Sequence, residues 1–414
     1  MIEDLFKRPT VLARYREGPL AEAREEFLKH CANEGYSRSM LRKIAWVLLA
    51  VAHGIDIGHG NMSTQDIERV VDSRVRFSRR PIRAKESLWT RQMFIHFATE
   101  WLRRLGCLQQ TPSTQNAFAA KIDAFVSHMR DERGLSPVTI STRCERLTWF
   151  FGGLCPPRET LAAITVADVD AFIESKGKQG WTRASLAALA GSLRSFFSFA
   201  EAHGWCAQGI TAVIESPRLY AREGIPEGPG WDDVQRLLAS TSGDRPADIR
   251  DHAILMLLAV YGLRRGEVAG LRLDDLDWEG ELIHIERPKQ RRAQRYPLLP
   301  AVGEAILRYL REVRPRCGER TLFLTLGAPI RPLSAPSITP VAHAHLSRLG
   351  LTLSPRGAHC LRHACASHLL ASGFSLKQIG DHLGHRSANS TLSYTKVDLI
   401  GLRQVAELDL GELL

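Results

Sequence analysis

The segments YGLRRGE (261–267), HCLRH (359–363), LGHRS (383–387) and STLSYTK (390–396) follow one another in the last third of the chain. Their chemically distinctive residues are two arginines, two histidines and a tyrosine: Arg264, His359, Arg362, His385 and Tyr394. Arg362 follows His359 by three positions, a spacing that places both side chains on one face of a helix. The four segments therefore predict a C-terminal block in which these five side chains serve one site.

These residue types suit attack on a phosphodiester without a metal. A planar guanidinium donates two hydrogen bonds to two phosphate oxygens and is always charged. Imidazoles transfer protons near neutral pH, and a tyrosine can form a covalent intermediate that conserves bond energy for religation. We therefore expect DNA strand breakage through a phosphotyrosine, with no metal and no cofactor. Taken singly, Arg264 could also be a surface arginine, His359 a half-buried histidine and Tyr394 a core aromatic residue.

Length and composition set the broad class of the protein. A chain of 414 residues exceeds one typical core, so two or three domains are expected. Apolar runs stay below ~18 residues, which predicts no membrane span. The first residues, MIEDLFKRPT, are acidic and mixed and do not resemble a signal peptide. The eight cysteines are scattered without a CxxC pair, so free thiols in the bacterial cytoplasm are expected.

The basic charge is unevenly distributed along the chain. The formal net charge is +10, and residues 1–110 hold 19 Lys and Arg against 13 Asp and Glu, a net charge of +6. The segment RVRFSRRPIRAK (74–85) has no acidic residue and contains Arg74, Arg76, Arg79, Arg80, Arg83 and Lys85. It is either a solvated loop or a segment that contacts phosphates, and a basic balance suits a polyanionic partner.

Gly- and Pro-containing stretches divide the chain into three blocks. Breaks at QQTPSTQN (109–116) and REGIPEGPG (222–230) give domains at about 1–108, 112–221 and 228–414. The first two blocks are alike: FLKHCANEGYS matches FVSHMRDERGLS, STQDIERVVDS matches TVADVDAFIES, and FATEWLRRLGCL matches FFSFAEAHGWC. We predict a duplicated four-helix unit with Ser37 and Ser136 as N-caps. The alternative is that two unrelated amphipathic bundles align this well.

The third block is mixed. Helices are predicted over 245–262, 303–313, 357–373 and 375–384, with a further short helix at 387–397 and an amphipathic tail. ELIHIE (281–286) and QRYPLLP (294–300) alternate as strands around the basic turn RPKQRRA. The fold class expected is therefore mainly α with a small antiparallel β-sheet in the C-terminal domain, preceded by helical DNA-binding bundles.

The four C-terminal segments resemble the motifs of the tyrosine recombinases, the phage-integrase and Xer-like family. The resemblance covers about 228–400. It implies that Arg264 and Arg362 clamp the phosphate, that His359 and His385 support proton transfer or hydrogen bonding, and that Tyr394 is the nucleophile. The domain at 112–221 resembles the core-binding domain of the family, which closes with the catalytic domain around DNA.

The resemblance implies further roles in the same block. Lys289, eight positions before Pro297, takes the place of the family's hairpin lysine, the general acid for the leaving 5′-oxygen. Glu267 matches the acidic position that orients the Arg264 region, and His363 is a supporting residue. Arg291 and Arg292 lie beside Lys289 and are expected to contact DNA. The turn departs from the family's Gly-rich pattern.

The resemblance also implies partners. These are double-stranded DNA with inverted-repeat recombination sites and three further copies of this chain, giving a tetramer through exchange of the C-terminal tail. Related recombinases of one mobile element are a further expected partner. The implied function is that of a site-specific recombinase or integrase moving such an element.

Three alternatives remain. A type IB topoisomerase uses similar chemistry, but LGHRS and the extended tail favour a recombinase. A DNA-binding protein with a decayed active site is disfavoured because every expected catalytic position is filled. A metal-dependent nuclease is disfavoured because the sequence lacks clustered carboxylates.

Overall fold

The computed structural model describes residues 1–54, 62–76, 84–108, 118–218, 228–287, 292–351, 357–385 and 391. Within them the chain forms two compact units, one of residues Met1–Ala50 with Arg222–Leu414 and one of residues Val51–Ala221. The fold is mainly helical with a small antiparallel sheet, as the sequence predicts. None of the described helices has the length and apolar character needed to cross a membrane.

The first half of the chain is helical. Its helices are α1 (Ile2–Leu5), α2 (Pro9–Glu17), α3 (Ala21–Asn33), α4 (Arg38–Gly54), α5 (Thr64–Arg76), α6 (Ala84–Arg104), α7 (Ala119–Ser127), α8 (Pro137–Gly152), α9 (Val166–Lys178), α10 (Arg183–Ala202) and α11 (Ile210–Val213). A π-helix at His128–Glu132 continues α7, and a 3₁₀ turn at Leu161–Ala163 precedes α9. The boundary between the two compact units falls inside α4.

The unit of residues Val51–Ala221 has an aromatic core in its second part. Phe125, Phe150, Phe196 and Phe197 are fully or almost fully buried between α7, α8 and α10. Their rings meet edge to face, for example Phe125 against Phe196 with centroids 5.4 Å apart, a favourable geometry for aromatic quadrupoles. This core fixes α8 and α10 in one packing arrangement.

The helices of the third block begin and end at residues that suit those positions. They are α12 (Trp231–Ser240), α13 (Pro246–Val260), α14 (Arg265–Gly270), α15 (Pro300–Glu312), α16 (Ala335–Arg348), α17 (Ala358–Ala371) and α18 (Leu376–Leu383). Gly262, with φ +59°, turns the chain after α13. Ser375 accepts a hydrogen bond from the backbone N–H of Gln378 and caps α18.

The sheet is a three-stranded meander in the order β1 (Leu276–Asp277), β2 (Leu282–Arg287) and β3 (Arg292–Pro297). Ile283 pairs with Tyr296 and Ile285 with Gln294 in the antiparallel register of β2 and β3. Ile283, Ile285 and Arg287 share the buried face of β2, because side chains alternate between faces along a strand. The sheet thereby directs a charged residue, Arg287, inward.

Several predicted elements agree with the structure and some differ. Ser37 and Ser136 accept hydrogen bonds from the backbone N–H groups of Met40 and Thr139, as expected of N-caps. The second hairpin strand ends at Pro297 and not at residue 300, because Pro300 already occupies the first turn of α15. The helix predicted at 387–397 and the amphipathic tail lie outside the described residues, apart from Thr391.

Three helices of the third block, α12, α14 and α16, were missing from the prediction. The sequence of α16 contains Pro336 near its start and Pro340 inside it, and a proline removes a backbone donor from the helix interior. Buried contacts of Ile338, Ala342 and Leu346 with the core of the C-terminal block stabilise α16 in spite of this loss. Packing therefore overrides the local signal.

Candidate active site

The turn that follows α18, residues 382–385, is the centre of the candidate site. Gly384 ends the helix with φ +61°, and the backbone N–H of His385 donates to the carbonyl of Gly380 at 2.8 Å. This closure leaves the carbonyls of Leu383 and Gly384 without helical donors. Two predicted arginines supply donors, since Arg362 bonds to the first carbonyl and Arg264 to the second.

Glu267 binds both the backbone N–H and the side chain of Arg264. The backbone N–H of Arg264 donates to Oε2 of Glu267 at 2.8 Å, and its Nη1 donates to Oε1 at 2.7 Å. Its Nη2 lies 2.9 Å from the carbonyl oxygen of Gly384. The carboxylate is buried, whereas the Arg264 side chain is 37% exposed. Glu267 therefore fixes a guanidinium that still reaches solvent.

Arg362 lies in the middle of the site. It is 2% exposed and donates from Nη1 to the carbonyl of Gly262 at 2.6 Å and from Nη2 to that of Leu383 at 2.7 Å. His359 lies one turn earlier on α17, as the spacing predicts. These bonds connect the end of α13, the middle of α17 and the end of α18.

Arg287 is a third guanidinium at this turn, buried like that of Arg362, and the sequence analysis did not single it out. It lies at the end of β2, is 3% exposed, and donates to the carbonyl of Leu383 and to the hydroxyl of Tyr296. Its Nε lies 4.0 Å from Oε1 of Glu267. A charged residue in phase with Ile283 and Ile285 on the buried face of a strand was the signal available in the sequence.

The three guanidiniums give the site a positive excess. Among the described contacts of Arg264, Arg287 and Arg362, Glu267 is the carboxylate, so three positive charges face one negative charge. Like charges held together in a partly desolvated cleft favour binding of an anion. A phosphodiester, with one negative charge and a transition state that gains another, suits this excess.

The imidazoles of the site favour the neutral form. Burial lowers the pKa of His385 to about 4, with the charges of Arg362 and Arg264 acting in the same direction. Burial also lowers the pKa of His363 to about 4, helped by His359 and Arg362. The pKa of His359 is lowered by burial and then by Arg362 and Arg264. Neutral imidazole both donates and accepts hydrogen bonds.

His359 and His385 are positioned in different ways. The ring of His359 meets that of His363 edge to face, with centroids 4.4 Å apart. The Nδ1 of His385 lies 2.7 Å from the hydroxyl oxygen of Thr391, a residue that also approaches Gly380. Thr391 was not predicted as a site residue, although it belongs to the segment STLSYTK (390–396).

The remaining predicted site residues fall outside the description. Lys289, Arg291 and Tyr394 lie outside the described residues, and Arg292 begins β3 without a described side chain. In the basic cluster, the backbone of Arg74, Arg76 and Lys85 belongs to α5 and α6, but their side chains are not described. Arg79, Arg80 and Arg83 lie outside the described residues. The described geometry thus brings together Arg264, Glu267, His359, Arg362, His363 and His385.

Two family models match long segments of the chain. Residues 231–399 match the family model described as the phage integrase family, and residues 122–204 match the phage integrase N-terminal SAM-like domain. The putative integrase/recombinase y4rA of Sinorhizobium fredii is 38% identical over 70% of this chain and 71% of its own length. The chain belongs to the phage integrase family of tyrosine recombinases. It is therefore a site-specific DNA recombinase of the tyrosine class.

Other relatives extend the comparison. The tyrosine recombinase XerD of Listeria monocytogenes is 29% identical over 69% of this chain and 96% of its own length. Among solved structures, the XerH recombinase bound to a palindromic difH substrate aligns with TM-score 0.54 and 20% identity, covering 67% of this chain and 81% of that one. A lambda integrase dimer bound to a core site aligns with TM-score 0.52, 18% identity and coverage of 66% and 94%. Both likenesses show the fold.

Replacing Arg287 tests its contribution to the site. Arg287→Met should keep the volume of the side chain. It removes one hydrogen-bond donor from the Leu383 carbonyl and one neighbouring positive charge from Glu267. We expect DNA binding to change less than threefold and the single-turnover cleavage rate to fall at least tenfold, because the turn carrying His385 loses its anchor.

Arg287→Lys should recover part of the cleavage rate, since it restores the charge without the planar fork. The matched control is Arg295→Met on β3, an exposed arginine of the same sheet. Equal cleavage rates for Arg287→Met and the unmodified protein would exclude a positioning role for Arg287.

The histidine pKa values predict how stability depends on pH. Because the folded pKa of His363 and His385 lies near 4 and the unfolded value near 6.5, the unfolded chain binds more protons between these limits. Thermal stability should be independent of these groups above pH 6.5 and should fall as the pH drops from 6.5 towards 4. Scanning calorimetry of His363→Asn, compared with the unmodified protein, should show a shallower fall of Tm over this window. A parallel pair of curves would refute the assignment.

Proposed function

We propose that this recombinase cleaves one DNA strand by attack of the Tyr394 hydroxyl on the scissile phosphate, forming a 3′-phosphotyrosyl bond. The 5′-oxygen leaves with a proton, and reversal of the same step joins the strand to a new 5′-hydroxyl. The observation that carries this proposal is the convergence of Arg264, Arg362 and His385 on one turn, three residues whose motifs match the family at 231–399.

In this proposal the two predicted arginines gain a phosphate as a further partner when DNA enters. Each of them bonds a backbone carbonyl in the free protein and has further N–H donors, since a guanidinium carries five. A phosphate with two non-bridging oxygens accepts from both at once. The carbonyl bonds hold the guanidiniums in place beforehand, so less conformational entropy is lost on binding.

The neutral imidazoles complete the charge stabilisation. Burial, and then the charges of Arg362 and Arg264, lower the pKa of His359 and His385 and keep both rings uncharged at neutral pH. A neutral imidazole N–H donates a hydrogen bond to the developing oxyanion. The arriving phosphate carries negative charge, which raises the pKa of both rings and strengthens this bond in the transition state.

Assembly and substrate are further parts of the proposal. We infer that four copies act on two duplexes, joined through the tail that follows Tyr394, whose apolar residues Val397, Leu399, Leu402, Val405 and Leu408 have helical spacing. Inverted-repeat sites suit the two-fold symmetry of such an assembly. The protein would move a mobile element in a bacterial cytoplasm, alone or with related recombinases of that element. The integrase names of the relatives and the fold shared with DNA-bound recombinases support this part.

Substituting Tyr394 tests the nucleophile. Tyr394→Phe removes one oxygen and no charge, so DNA affinity should stay within twofold of that of the unmodified protein, whereas covalent capture should disappear. The measurement is a denaturing gel of protein incubated with nicked DNA from the ends of the element that carries the gene.

Tyr309→Phe is the matched control, because that buried tyrosine lies in the core of the C-terminal block away from the motifs. It should retain capture. A covalent adduct at the unmodified level in Tyr394→Phe would assign the nucleophile to another residue.

The proposed general acid, Lys289, is tested by changing the leaving group. A substrate with sulfur at the 5′-bridging position leaves as a thiolate and needs no proton. Cleavage by Lys289→Ala should therefore be slow on the oxygen substrate and recover at least tenfold on the sulfur substrate. Arg362→Ala should not recover, because it lacks charge stabilisation and not a proton. Equal recovery of both variants would assign the general acid to another group, with His359 the next candidate.

A further inference from the structure

The structure repeats the same joints in residues 21–108 and 119–206. After the first helix of each segment a glycine takes a positive φ, +85° at Gly35 and +58° at Gly134. The next residue then donates its backbone N–H back to the helix, Tyr36 to Cys31 at 3.1 Å and Leu135 to Met129 at 3.0 Å. A serine follows in both and caps the second helix, each over a distance of 3.3 Å.

The third helix begins in the same way in both segments. The backbone N–H of Ser63 donates to Asp66 Oδ2 at 2.9 Å, and that of Thr165 to Asp168 Oδ2 at 2.8 Å. In return the N–H groups of the two aspartates donate to the hydroxyl oxygens at 3.3 and 3.4 Å. Such reciprocal capping is one of several ways to begin a helix, so its recurrence at one place is informative.

The fourth helix also ends alike. Gly106 and Gly204 have φ +68° and +65°. The residue after each glycine donates to the helix at a similar distance, Cys107 to Leu102 at 3.0 Å and Trp205 to Ala200 at 2.9 Å. Two joints of the glycine kind and one reciprocal cap therefore occur in the same order in both segments, as expected of a duplicated unit.

The buried residues of the first two helices keep the same register, with one shift. Phe27 and Phe125 are 98 positions apart, as are Cys31 and Met129, and all four are buried. From the joint glycine to the end of the second helix the separation is 99, and it holds for the buried pairs Leu41–Ile140, Leu48–Leu147 and Val51–Phe150. The additional residue of the second segment falls at the π-helix His128–Glu132, where the wider i→i+5 turn accommodates one residue more.

The second helices differ on their solvent face. On α4, Arg38, Arg42 and Trp46 are exposed at successive i, i+4 positions, and Lys43 is exposed beside them. At the corresponding positions of α8, 99 residues later, stand Pro137, Ser141, Glu145 and Thr142. The same framework thus carries three positive charges in the first segment and one negative charge in the second. The fold does not require the basic face, so another constraint accounts for it.

The arginines of this face are held in a fixed orientation. Nε of Arg42 donates to the carbonyl of Leu5 at 2.8 Å, and Arg38 donates to the carbonyl of Asp4. These bonds use few of the five donors of each guanidinium. The sequence of α4 contains no Asp or Glu, so its own residues add no negative charge to the face.

We propose that residues 21–108 are a second copy of the SAM-like unit and that its α4 face, defined as Arg38, Arg42, Lys43 and Trp46, binds duplex DNA. The inference rests on the proposed function, because DNA is the polyanion on which this enzyme acts. It adds a contact surface outside the segments that match the family models, 122–204 and 231–399. Arg and Lys would contact phosphates, and the exposed indole would pack against the sugars of the backbone.

Salt dependence of binding tests this surface directly. The probe is a fluorescein-labelled duplex of arbitrary sequence, and the observable is the slope of the logarithm of the binding constant against the logarithm of KCl concentration. Each phosphate contact contributes about 0.9 to that slope. Arg38→Gln/Arg42→Gln/Lys43→Gln in the full chain should therefore flatten it by about 2–3 units.

Two further variants distinguish a contact of the α4 face with DNA from an effect of net charge or of misfolding. Arg69→Gln/Arg103→Gln/Arg104→Gln changes the net charge equally at exposed arginines near Asp66 and Glu100, and it should flatten the slope by less than one unit, about a single contact. Arg38→Lys/Arg42→Lys keeps the charge and should keep the slope. Should the triple variant of the α4 face not fold, Lys43→Gln alone should flatten the slope by about 0.9.

Three results would overturn the proposal. These are an unchanged slope in the folded α4 variant, equal flattening by the control triple, and loss of slope in the Arg→Lys variant. If the slope were unchanged, we would instead assign an acidic protein surface as the partner of the α4 face. Covalent capture at the element ends, measured on the same preparations, keeps the two proposals apart. Its absence from the unmodified protein would refute the phosphotyrosine step, whereas the salt slope reports binding alone.

Discussion

The carbonyl groups at the end of α18 are the constraint around which the candidate active site is built. A helix end leaves its last carbonyls without partners, and burying such groups costs free energy unless donors are found. Here the donors are the guanidiniums of Arg264, Arg287 and Arg362, which come from three separate parts of the chain. Satisfying one turn of backbone therefore brings together the positive charges of the candidate site.

Glu267 balances this arrangement. It neutralises part of the charge of Arg264 and lies near Arg287, so the three guanidiniums can approach one another without an uncompensated repulsion. The remaining excess is what a phosphate can offset. Stability of the free protein and affinity for an anion thus have opposite requirements, and one carboxylate among three cations lies between them.

Much of this could be predicted from the sequence. The motif residues Arg264, Glu267, His359 and Arg362 could be found because their spacing and neighbours are distinctive, and the caps at Ser37 and Ser136 because a hydroxyl before a helix has one strong local role. Arg287 was overlooked because a basic hairpin suggests solvent, and only the strand register shows that this arginine faces inward. Helix α16 was overlooked because its prolines argue against a helix locally, while the packing of Ile338 and Leu346 decides the outcome.

The glycine joints have a consequence for how the chain can change over generations. In the second segment the additional residue is accommodated by the π-helix before Gly134, and the helix after the glycine begins as in the first segment. A change in the length of the first helix therefore leaves the register of the second helix intact. The outward residues of that helix can then change, as the exposed positions of α4 and α8 already differ, while the inward residues preserve the bundle.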